Sequence, residues 1–173
     1  MFLERASKAT DRISRILEDL DEITRLEVED LKVEFKPFDI FELTREVFES
    51  FEIIAQEKNI KLKFAKEHVN GIMVLGDRGK IGQVLTNLIG NSIFYGNDNG
   101  ETIARFYIVD GIVTIEISDN GPGIEDKYIP RLFERFYRVE KSRNRNEGGS
   151  GLGLAIVKHI VESHGQTITV RST

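Results

Sequence analysis

Cysteine is absent from this chain of 173 residues, which excludes disulfides and thiolate metal sites. No apolar run is long enough to span a bilayer, and residues 1–5 do not open a signal peptide. A basic face is lacking as well, because the net charge is −5 at neutral pH. General nucleic-acid binding needs such a face and is therefore not expected. We expect a cytoplasmic chain, which can still be one piece of a larger membrane protein.

What is present is enough for a compact core, since 40% of the residues are hydrophobic. Residues 1–32 contain neither glycine nor proline, and their apolar residues recur at spacings of three and four. That pattern predicts a helix that pairs with another helix. An amphipathic helix lying on its own domain is the alternative. The stripe consists of Ala6, Ala9, Ile13, Ile16, Leu20 and Ile23.

After residue 32, strand and helix patterns alternate. A strand over 33–35 is interrupted by Pro37. Asp39, with Glu42 three residues on, resembles a capping box that opens a helix. A half-buried strand is predicted around 60–64 and another at 72–75. The apolar face of the capped helix consists of Leu43, Val47, Phe48, Phe51 and Ile54.

A further helix is predicted from Asp77 to about Tyr95. Strands at 104–109 and 112–118 flank Asp110-Gly111, which is a strong signal for a two-residue hairpin. Gly165 is expected to end the last helix, and 167–171 is predicted as a strand. The expected fold class is α+β: a two-layer sandwich of a mixed, mainly antiparallel sheet with helices on one face, preceded by one long helix.

Two glycine clusters, at 119–124 and 149–154, each lie beside an apolar run. Glycine lets the backbone approach a ligand closely because it has no Cβ. The second cluster runs into a helical pattern, so its amides would lie at a helix N-terminus, which favours phosphate. Two such clusters, with an asparagine-bearing helix before them, indicate a nucleotide site.

The helix that ends near Tyr95 carries Gln83, Asn87 and Asn91 at intervals of four residues. Asparagine is a poor former of helix interiors, and burying its amide without a partner is costly. An amide oxygen here could help to hold magnesium, which prefers oxygen ligands together with nucleotide phosphates. A solvated helix edge is the alternative, and the glycine clusters favour the functional interpretation.

Four ordered motifs now resemble one family. Residues 87–95 (Asn-Leu-Ile-Gly-Asn-Ser-Ile-Phe-Tyr) are similar to the N box of sensor histidine kinases. Residues 119–124 and 149–154 resemble their two glycine boxes, and 131–138 resembles their F box. The resemblance covers residues 77–158 and implies a catalytic domain of the gyrase, chaperone, histidine kinase and MutL ATPase superfamily.

The resemblance implies a role for each matching residue. Asn91 would be the magnesium ligand, and Asn87 a second polar contact one turn earlier. Asp119, taken as a carboxylate buried at a strand end, would accept a hydrogen bond from the adenine amino group. Arg138 would contact the terminal phosphate. The residues implied to contact the nucleotide are Asn91, Tyr95, Asp119, Gly121, Gly123, Ile124, Gly149, Gly151, Leu152 and Gly153.

The same resemblance makes 125–148 a mobile lid over ATP, with Phe133 and Phe136 anchoring its middle to the core. Residues 142–147 are polar and have no apolar anchor, so we expect them to be disordered without nucleotide. Gyrase-like and chaperone-like relatives have a water-activating glutamate where this chain has Asn87. We therefore expect phosphoryl transfer, with hydrolysis only as a slow leak.

The chain also departs from the family pattern. Its histidines are His68, His159 and His164, and none has the context of a phosphoacceptor, so we interpret them as surface residues. Phe94 replaces a lysine or arginine, so we expect Phe94→Lys to tighten ATP binding. Unchanged affinity would show that Lys141 or Lys80 supplies the charge. Residues 1–32 resemble the second dimerisation helix, so the first helix with its histidine is expected to be missing. Residues 33–173 would be the catalytic domain, without its last strand.

We therefore expect an ATP-binding catalytic domain that uses ATP and magnesium, in a parent protein that could be anchored in the inner membrane. Its expected partners are ATP or ADP, a histidine helix absent here, a response-regulator receiver domain and a second copy through the N-terminal helix. The fragment would not autophosphorylate by itself. A degenerate nucleotide-binding module or pseudokinase is the alternative. Anti-sigma serine kinases and purely structural dimerisation fragments fit less well.

Overall fold

The structure is a computed structural model that describes residues 33–66, 71–139 and 150–172. The apolar stripe predicted in residues 1–32 lies outside this part of the chain. The elements are β1 (Lys36–Asp39), α1 (Ile40–Glu57), β2 (Lys61–Phe64), β3 (Met73–Gly76), α2 (Arg78–Tyr95), β4 (Glu101–Val109), β5 (Ile112–Asp119), a short 3-10 helix (Ile129–Arg131) and α3 (Gly153–Ser163).

The chain divides into two compact units. The first, called the sheet unit, contains residues 33–125 and 171–173 and includes all five strands together with α1 and α2. The second, called the α3 unit, lies within 126–170, and its described elements are the 3-10 helix and α3.

The strands form two sheets. β1 pairs antiparallel with β3, with Pro37 opposite Leu75. The second sheet has the order β2-β4-β5, in which β2 and β4 run parallel and β4 and β5 antiparallel. Asp110 and Gly111 connect β4 to β5 with φ of 51° and 77°, the positive values that a type I′ hairpin requires. The mixed α/β fold agrees with the expected class.

Helix α1 begins at Asp39, as the sequence predicts. The Asp39 Oδ1 atom accepts hydrogen bonds from the amides of Phe41 at 2.9 Å and Glu42 at 3.3 Å. Glu42 pairs with Arg45 instead of returning to the cap. The predicted apolar face is correct, and it contributes to a core that also draws on the strands. Its buried members on α1 are Ile40, Phe41, Leu43, Val47, Phe48 and Ala55.

Helix α2 begins at Asp77, whose Oδ1 atom accepts from the Lys80 amide at 3.1 Å. It packs close to α1 at Gly90, where a Cβ would lie 3.3 Å from the Phe51 ring. The buried hydroxyls of Ser92 and Thr102 share a 2.8 Å hydrogen bond that joins α2 to β4. These contacts fix the direction of α2 over the sheet, and with it the positions of its polar residues.

Two predicted strands are wrong. The first strand covers 36–39 instead of 33–35, and Pro37 lies inside it. A proline is tolerated there because β1 pairs on one side only, with β3. Residues 167–171 form no strand in the part of the chain described, although their apolar residues alternate. Alternation marks a half-buried segment but does not supply a pairing partner.

Candidate functional site

The polar stripe on α2 is half-buried. Asn87 and Asn91 are neither core residues nor fully solvated ones. The alternative interpretation of the stripe, as a solvated edge of the helix, is therefore not sufficient. The Asn87 Nδ2 atom donates to the Gln83 carbonyl at 3.1 Å, one turn earlier in the helix. Within the described residues, the Asn91 amide makes no hydrogen bond. The Asn91 oxygen is therefore available to a ligand.

At the end of α2, Phe94 and Tyr95 are 48% and 45% exposed. The Lys58 Nζ atom lies 5.6 Å from the centroid of the Phe94 ring and donates to the carbonyls of Ile93 and Phe94 at 3.1 and 3.3 Å. A cation is favoured at a helix C-terminus because the last carbonyls lack partners. Lys58 thus fastens the end of α2, a contact that the sequence analysis missed.

The first glycine cluster continues from β5, whose last residue is Asp119. The Asp119 Oδ1 atom accepts from the Gly121 amide at 2.8 Å. The expectation of a buried carboxylate is wrong, because Asp119 is exposed. Asp119 is the last residue of the β4–β5 ladder, opposite Thr102, and its side chain is exposed there.

Position 121 leaves little room for a side chain. A Cβ there would lie 2.6 Å from Asp119 Oδ1, 3.2 Å from the Cα of Gly96 and 3.4 Å from the carbonyl of Tyr95. The first glycine cluster therefore lies against the C-terminal end of α2, within the sheet unit. Gly123 has a φ of 70°, and the half-buried Ile124 donates its amide to Ser172 Oγ at 2.7 Å.

The sheet unit thus brings together the end of the asparagine-bearing helix and the first glycine cluster. Among the described residues, no group of three or more His, Asp or Glu side chains could hold a metal. A magnesium ion with few protein ligands fits this donor set, because magnesium keeps several waters and takes phosphate oxygens. The Asn91 amide oxygen is a hard donor of the kind it accepts.

The second glycine cluster belongs to the α3 unit. Gly151 has a φ of 79°, and a Cβ there would lie 3.0 Å from both Cα and the carbonyl carbon of Phe136. Leu152 is fully buried, and Gly153 begins α3. Leu152, at the N-cap of α3, makes no side-chain cap hydrogen bond within the described residues, and its own amide donates to Ser150 Oγ at 3.2 Å. A helix N-terminus favours an anion. Gly149 lies outside the described residues.

In the F-box segment, the predicted anchor Phe136 is wrong. Phe136 is 58% exposed and Phe133 is half-buried, whereas Leu132 is 8% exposed. Phe136 adopts a φ of 60°, which turns its side chain outward while its backbone packs on Gly151. Arg138 is half-buried and makes no hydrogen bond or ion pair within the described part of the chain. Lys141 and the predicted disordered segment 142–147 lie outside it.

The histidines give one further correction. His159 is half-buried, whereas His164 is 9% exposed, and its Nδ1 atom lies 2.8 Å from the Ile160 carbonyl. The interpretation of His164 as a surface residue is therefore wrong. His68 lies outside the described residues.

Sequence reasoning also missed a group of asparagines around the first glycine cluster. Asn97 and Asn99, just after α2, bond to Asn120 and Asn59 respectively. The signal was the run Asn97-Asp98-Asn99-Gly100, a composition typical of turns. Its partners are distant in sequence, so the run alone could not identify them.

In 33–66, 71–139 and 150–172, no helix is both long enough and apolar enough to cross a membrane.

Comparison with known proteins gives consistent matches. Residues 76–173 match the family of histidine kinase-, DNA gyrase B- and HSP90-like ATPases. The chain is 35% identical over 162 residues to the sensor histidine kinase CusS of Escherichia coli O6:H1, covering 93% of this chain and 33% of CusS. It thus spans about a third of the length of that relative.

Two solved structures resemble this one. Full-length ShkA in complex with AMPPNP has a TM-score of 0.78 and 29% identity, over 91% of this chain and 32% of ShkA. Histidine kinase ThkA in complex with the response regulator TrrA has a TM-score of 0.73 and 28% identity, over 91% of this chain and 43% of that one.

Proposed function

Because the chain belongs to the family of histidine kinase-, DNA gyrase B- and HSP90-like ATPases, as a catalytic ATP-binding domain of the sensor histidine kinase type, we propose that it binds Mg-ATP. In the parent protein it donates the γ-phosphate to a histidine of a dimerisation domain. The observation that carries the proposal is the half-buried Asn91 amide without a protein partner, on a helix whose end lies against the first glycine cluster.

Asn91 is the proposed magnesium ligand through its amide oxygen. Bound magnesium neutralises charge on the phosphate oxygens and orients the triphosphate. Asn87, one turn earlier, is the proposed second polar contact. Its Nδ2 atom donates to the Gln83 carbonyl, which leaves its amide oxygen for the ligand. Since an amide is not a base at neutral pH, Asn87 does not activate water, and phosphate is preserved for transfer.

Asp119 is the proposed acceptor for the adenine amino group. Its Oδ1 atom is engaged by the Gly121 amide, and its exposed position leaves Oδ2 for the base. The glycines at 121 and 123 allow the backbone to approach the ring, with Tyr95 and Ile124 as flanking apolar surface.

The phosphate contacts are proposed for the second glycine cluster, Gly149, Gly151, Leu152 and Gly153. The N-terminus of α3, where Leu152 makes no side-chain cap hydrogen bond within the described residues, offers amide donors and a favourable dipole end to an anion. Arg138 is the proposed contact of the terminal phosphate, because its guanidinium makes no ion pair within the described residues.

The remaining partners also belong to the proposal. Residues 1–32 would be the second dimerisation helix and 33–173 the catalytic domain, with the acceptor histidine on a helix outside this sequence. A receiver domain takes the phosphate onward, in keeping with the complex of the related ThkA with its response regulator.

Calorimetric titration with a non-hydrolysable ATP analogue, with and without magnesium, tests the site. We expect magnesium-dependent binding by the chain and a loss of about tenfold or more in Asn91→Ala, the size expected when a hydrogen-bonding group to a charged partner is removed. Thr86→Ala is the matched control, since Thr86 is exposed on the same helix and bonds only to Gly82 among the described residues. Equal binding by Asn91→Ala would exclude the proposed ligand.

A second candidate is a nucleotide-binding module without transfer. The observation that favours it is Phe94, an exposed apolar side chain in the segment that resembles the N box. Adding a helical hairpin with an acceptor histidine, together with ATP labelled at the γ-phosphate, separates the two. Label on the hairpin supports the kinase, whereas tight binding without label supports the binding module. Phe94→Lys should tighten ATP binding if the missing charge matters.

A further inference from the structure

The peptide group between Asn120 and Gly121 is held from both ends. Its carbonyl oxygen, on Asn120, accepts from the Asn97 Nδ2 atom at 2.8 Å. Its N–H, on Gly121, donates to the Asp119 Oδ1 atom at 2.8 Å. Because a peptide group is planar, the direction of its carbonyl fixes the direction of its N–H. The contact made by Asn97 therefore sets the donor that orients the Asp119 carboxylate.

The loop that carries Asn97 is itself fixed. The Gly100 amide donates to the Asn97 carbonyl at 3.0 Å, and the Glu101 amide donates to Asn120 Oδ1 at 2.8 Å. Gly100 is buried, and a Cβ there would lie 2.6 Å from both Asn97 O and Asn120 Oδ1. The loop and the glycine cluster are thus fastened at several points with no spare room between them.

The carboxylate held in this way still has one oxygen to offer. Asp119 is exposed, and within the described residues its Oδ2 atom has no hydrogen-bond partner. We propose that Asn97 is a positioning residue for purine recognition: through the Asn120–Gly121 peptide, it sets the direction in which Asp119 presents Oδ2 to the amino group of adenine. This inference rests on the proposed function of the site.

Glu101 holds the side chain of Asn120, but within the described residues the Asn120 carbonyl accepts a hydrogen bond from Asn97 alone. Without the Asn97 donor, the Asn120 carbonyl can turn toward solvent, and the Gly121 N–H turns with it. The Asp119 carboxylate then loses its intramolecular donor and samples other rotamers. Nucleotide binding must then restrict the Asp119 carboxylate to one rotamer, which costs conformational entropy. Affinity for the adenine base therefore falls, while the phosphate contacts are unaffected.

The test compares ADP with inosine diphosphate, which has the same phosphates but no exocyclic amino group. We expect Asn97→Ala to weaken ADP about fivefold to tenfold, the effect of roughly one net hydrogen bond, and to leave inosine diphosphate nearly unchanged. Asn97→Asp keeps the size of the side chain and removes its donor, so it should behave as Asn97→Ala does.

Asn99→Gly is the matched control. Asn99 lies in the same loop, but its Oδ1 atom accepts from Asn59, and glycine suits its φ of 61°. This variant should bind ADP as the unmodified chain does. In the nucleotide-free protein, hydrogen exchange at the Gly121 amide should be faster in Asn97→Ala and unchanged in Asn99→Gly.

Asn97→Ala with unchanged ADP affinity, or with equal losses for ADP and inosine diphosphate, would overturn the positioning role while leaving the proposed function intact. No ADP binding by the unmodified chain would overturn the proposed function, and the purine role of Asn97 with it. Unchanged Gly121 exchange in Asn97→Ala would overturn the peptide clamp independently of any nucleotide.

Discussion

Helices α1 and α2 are both 18 residues long, and each begins after an aspartate cap. The strands that precede them, β1 and β3, pair with one another, so the two helices enter the fold from neighbouring positions. The two helices nevertheless differ in where their polar residues lie and in what those residues bond to. α1 has one apolar face, and its polar residues form pairs on the surface, such as Arg45 with Glu42 and Gln56 with Glu52.

α2 instead carries half-buried asparagines between its apolar residues. Asn91 makes no hydrogen bond within the described residues, and Asn87 bonds only along its own helix. A helix interior gains nothing from asparagine, which is a weaker helix former than alanine or leucine. Burial therefore accounts for the sequence of α1, whereas the asparagines of α2 are explained by neither burial nor helix propensity, in keeping with the ligand role proposed for them.

The largest effect on stability should come from the apolar face of α1. Phe41 is 2% exposed, and its ring centroid lies 4.4 Å from that of Phe64 and 5.5 Å from that of Phe106. We expect Phe41→Ala to cost about 3–5 kcal/mol in the free energy of unfolding, from lost burial and a cavity. Ile53→Ala on the same helix, 74% exposed, should stay within about 0.5 kcal/mol. Urea denaturation measures both, and equal losses would contradict the comparison.

The two aspartate caps should contribute unequally to the free energy of unfolding. Asp39 accepts from the first turn of α1 and also from the Ile72 amide at 2.9 Å, whereas Asp77 accepts from Lys80 and, at 3.4 Å, from Glu34. We expect Asp39→Ala to cost about 2 kcal/mol, a cap plus a second amide left without its partner, and Asp77→Ala about 1 kcal/mol. Asp39→Asn keeps an acceptor oxygen and should lose less. If the two alanine variants have similar midpoints of urea denaturation, the hydrogen bond from the Ile72 amide adds nothing to the free energy of unfolding.

Both caps should make the fold sensitive to acid. Burial acts to raise the pKa of Asp39, but its amide hydrogen bonds, that of Ile72 foremost, outweigh burial and lower the pKa. Burial also acts to raise the pKa of Asp77, but its amide hydrogen bonds, that of Lys80 foremost, together outweigh burial and lower the pKa. A lowered folded-state pKa means stability that is fully present above the unfolded value of about 3.9 and lost as pH falls through the folded value.

Urea denaturation from pH 7 to pH 2.5 should therefore show a flat region followed by a fall below about pH 4. The fall should be shallower in the double variant Asp39→Asn, Asp77→Asn, which keeps acceptor oxygens but cannot titrate. An unchanged slope in that variant would assign the acid sensitivity to other carboxyls, such as Glu101, whose pKa the Lys63 ammonium lowers.

The smallest effect on stability should come from the residue most important to the proposed site. Asn91→Ala removes no hydrogen bond within the described residues and introduces a better helix former, so the free energy of unfolding should change by less than about 0.7 kcal/mol, toward greater stability. Thermal denaturation without nucleotide measures it. A loss above about 2 kcal/mol would show that Asn91 is structural and would weaken the contrast between the two helices.

Local chemistry explains which parts of the fold could be predicted. The caps at Asp39 and Asp77, the hairpin at Asp110-Gly111 and the helix end at Gly165 depend on residues within a few positions of one another, and the structure confirms them. The amphipathic face of α1 follows from a spacing that any helix would display. The asparagines and glycines of the candidate site were found in the same way, as short motifs.

The sequence alone therefore predicts the helices of the described residues, their caps, the hairpin turn and the family to which the motifs belong, but it misplaces the first strand and predicts one at 167–171 that does not form. Four features become visible in the folded chain alone: Pro37 lies within a strand, Asp119 is exposed, Leu132 and not Phe136 is buried, and Asn97 bonds to Asn120. The physical reason is that strand pairing, burial and side-chain hydrogen bonds join residues 20 or more positions apart, as Asn97 and Asn120 are. Local propensity carries no information about which distant partner the fold will supply.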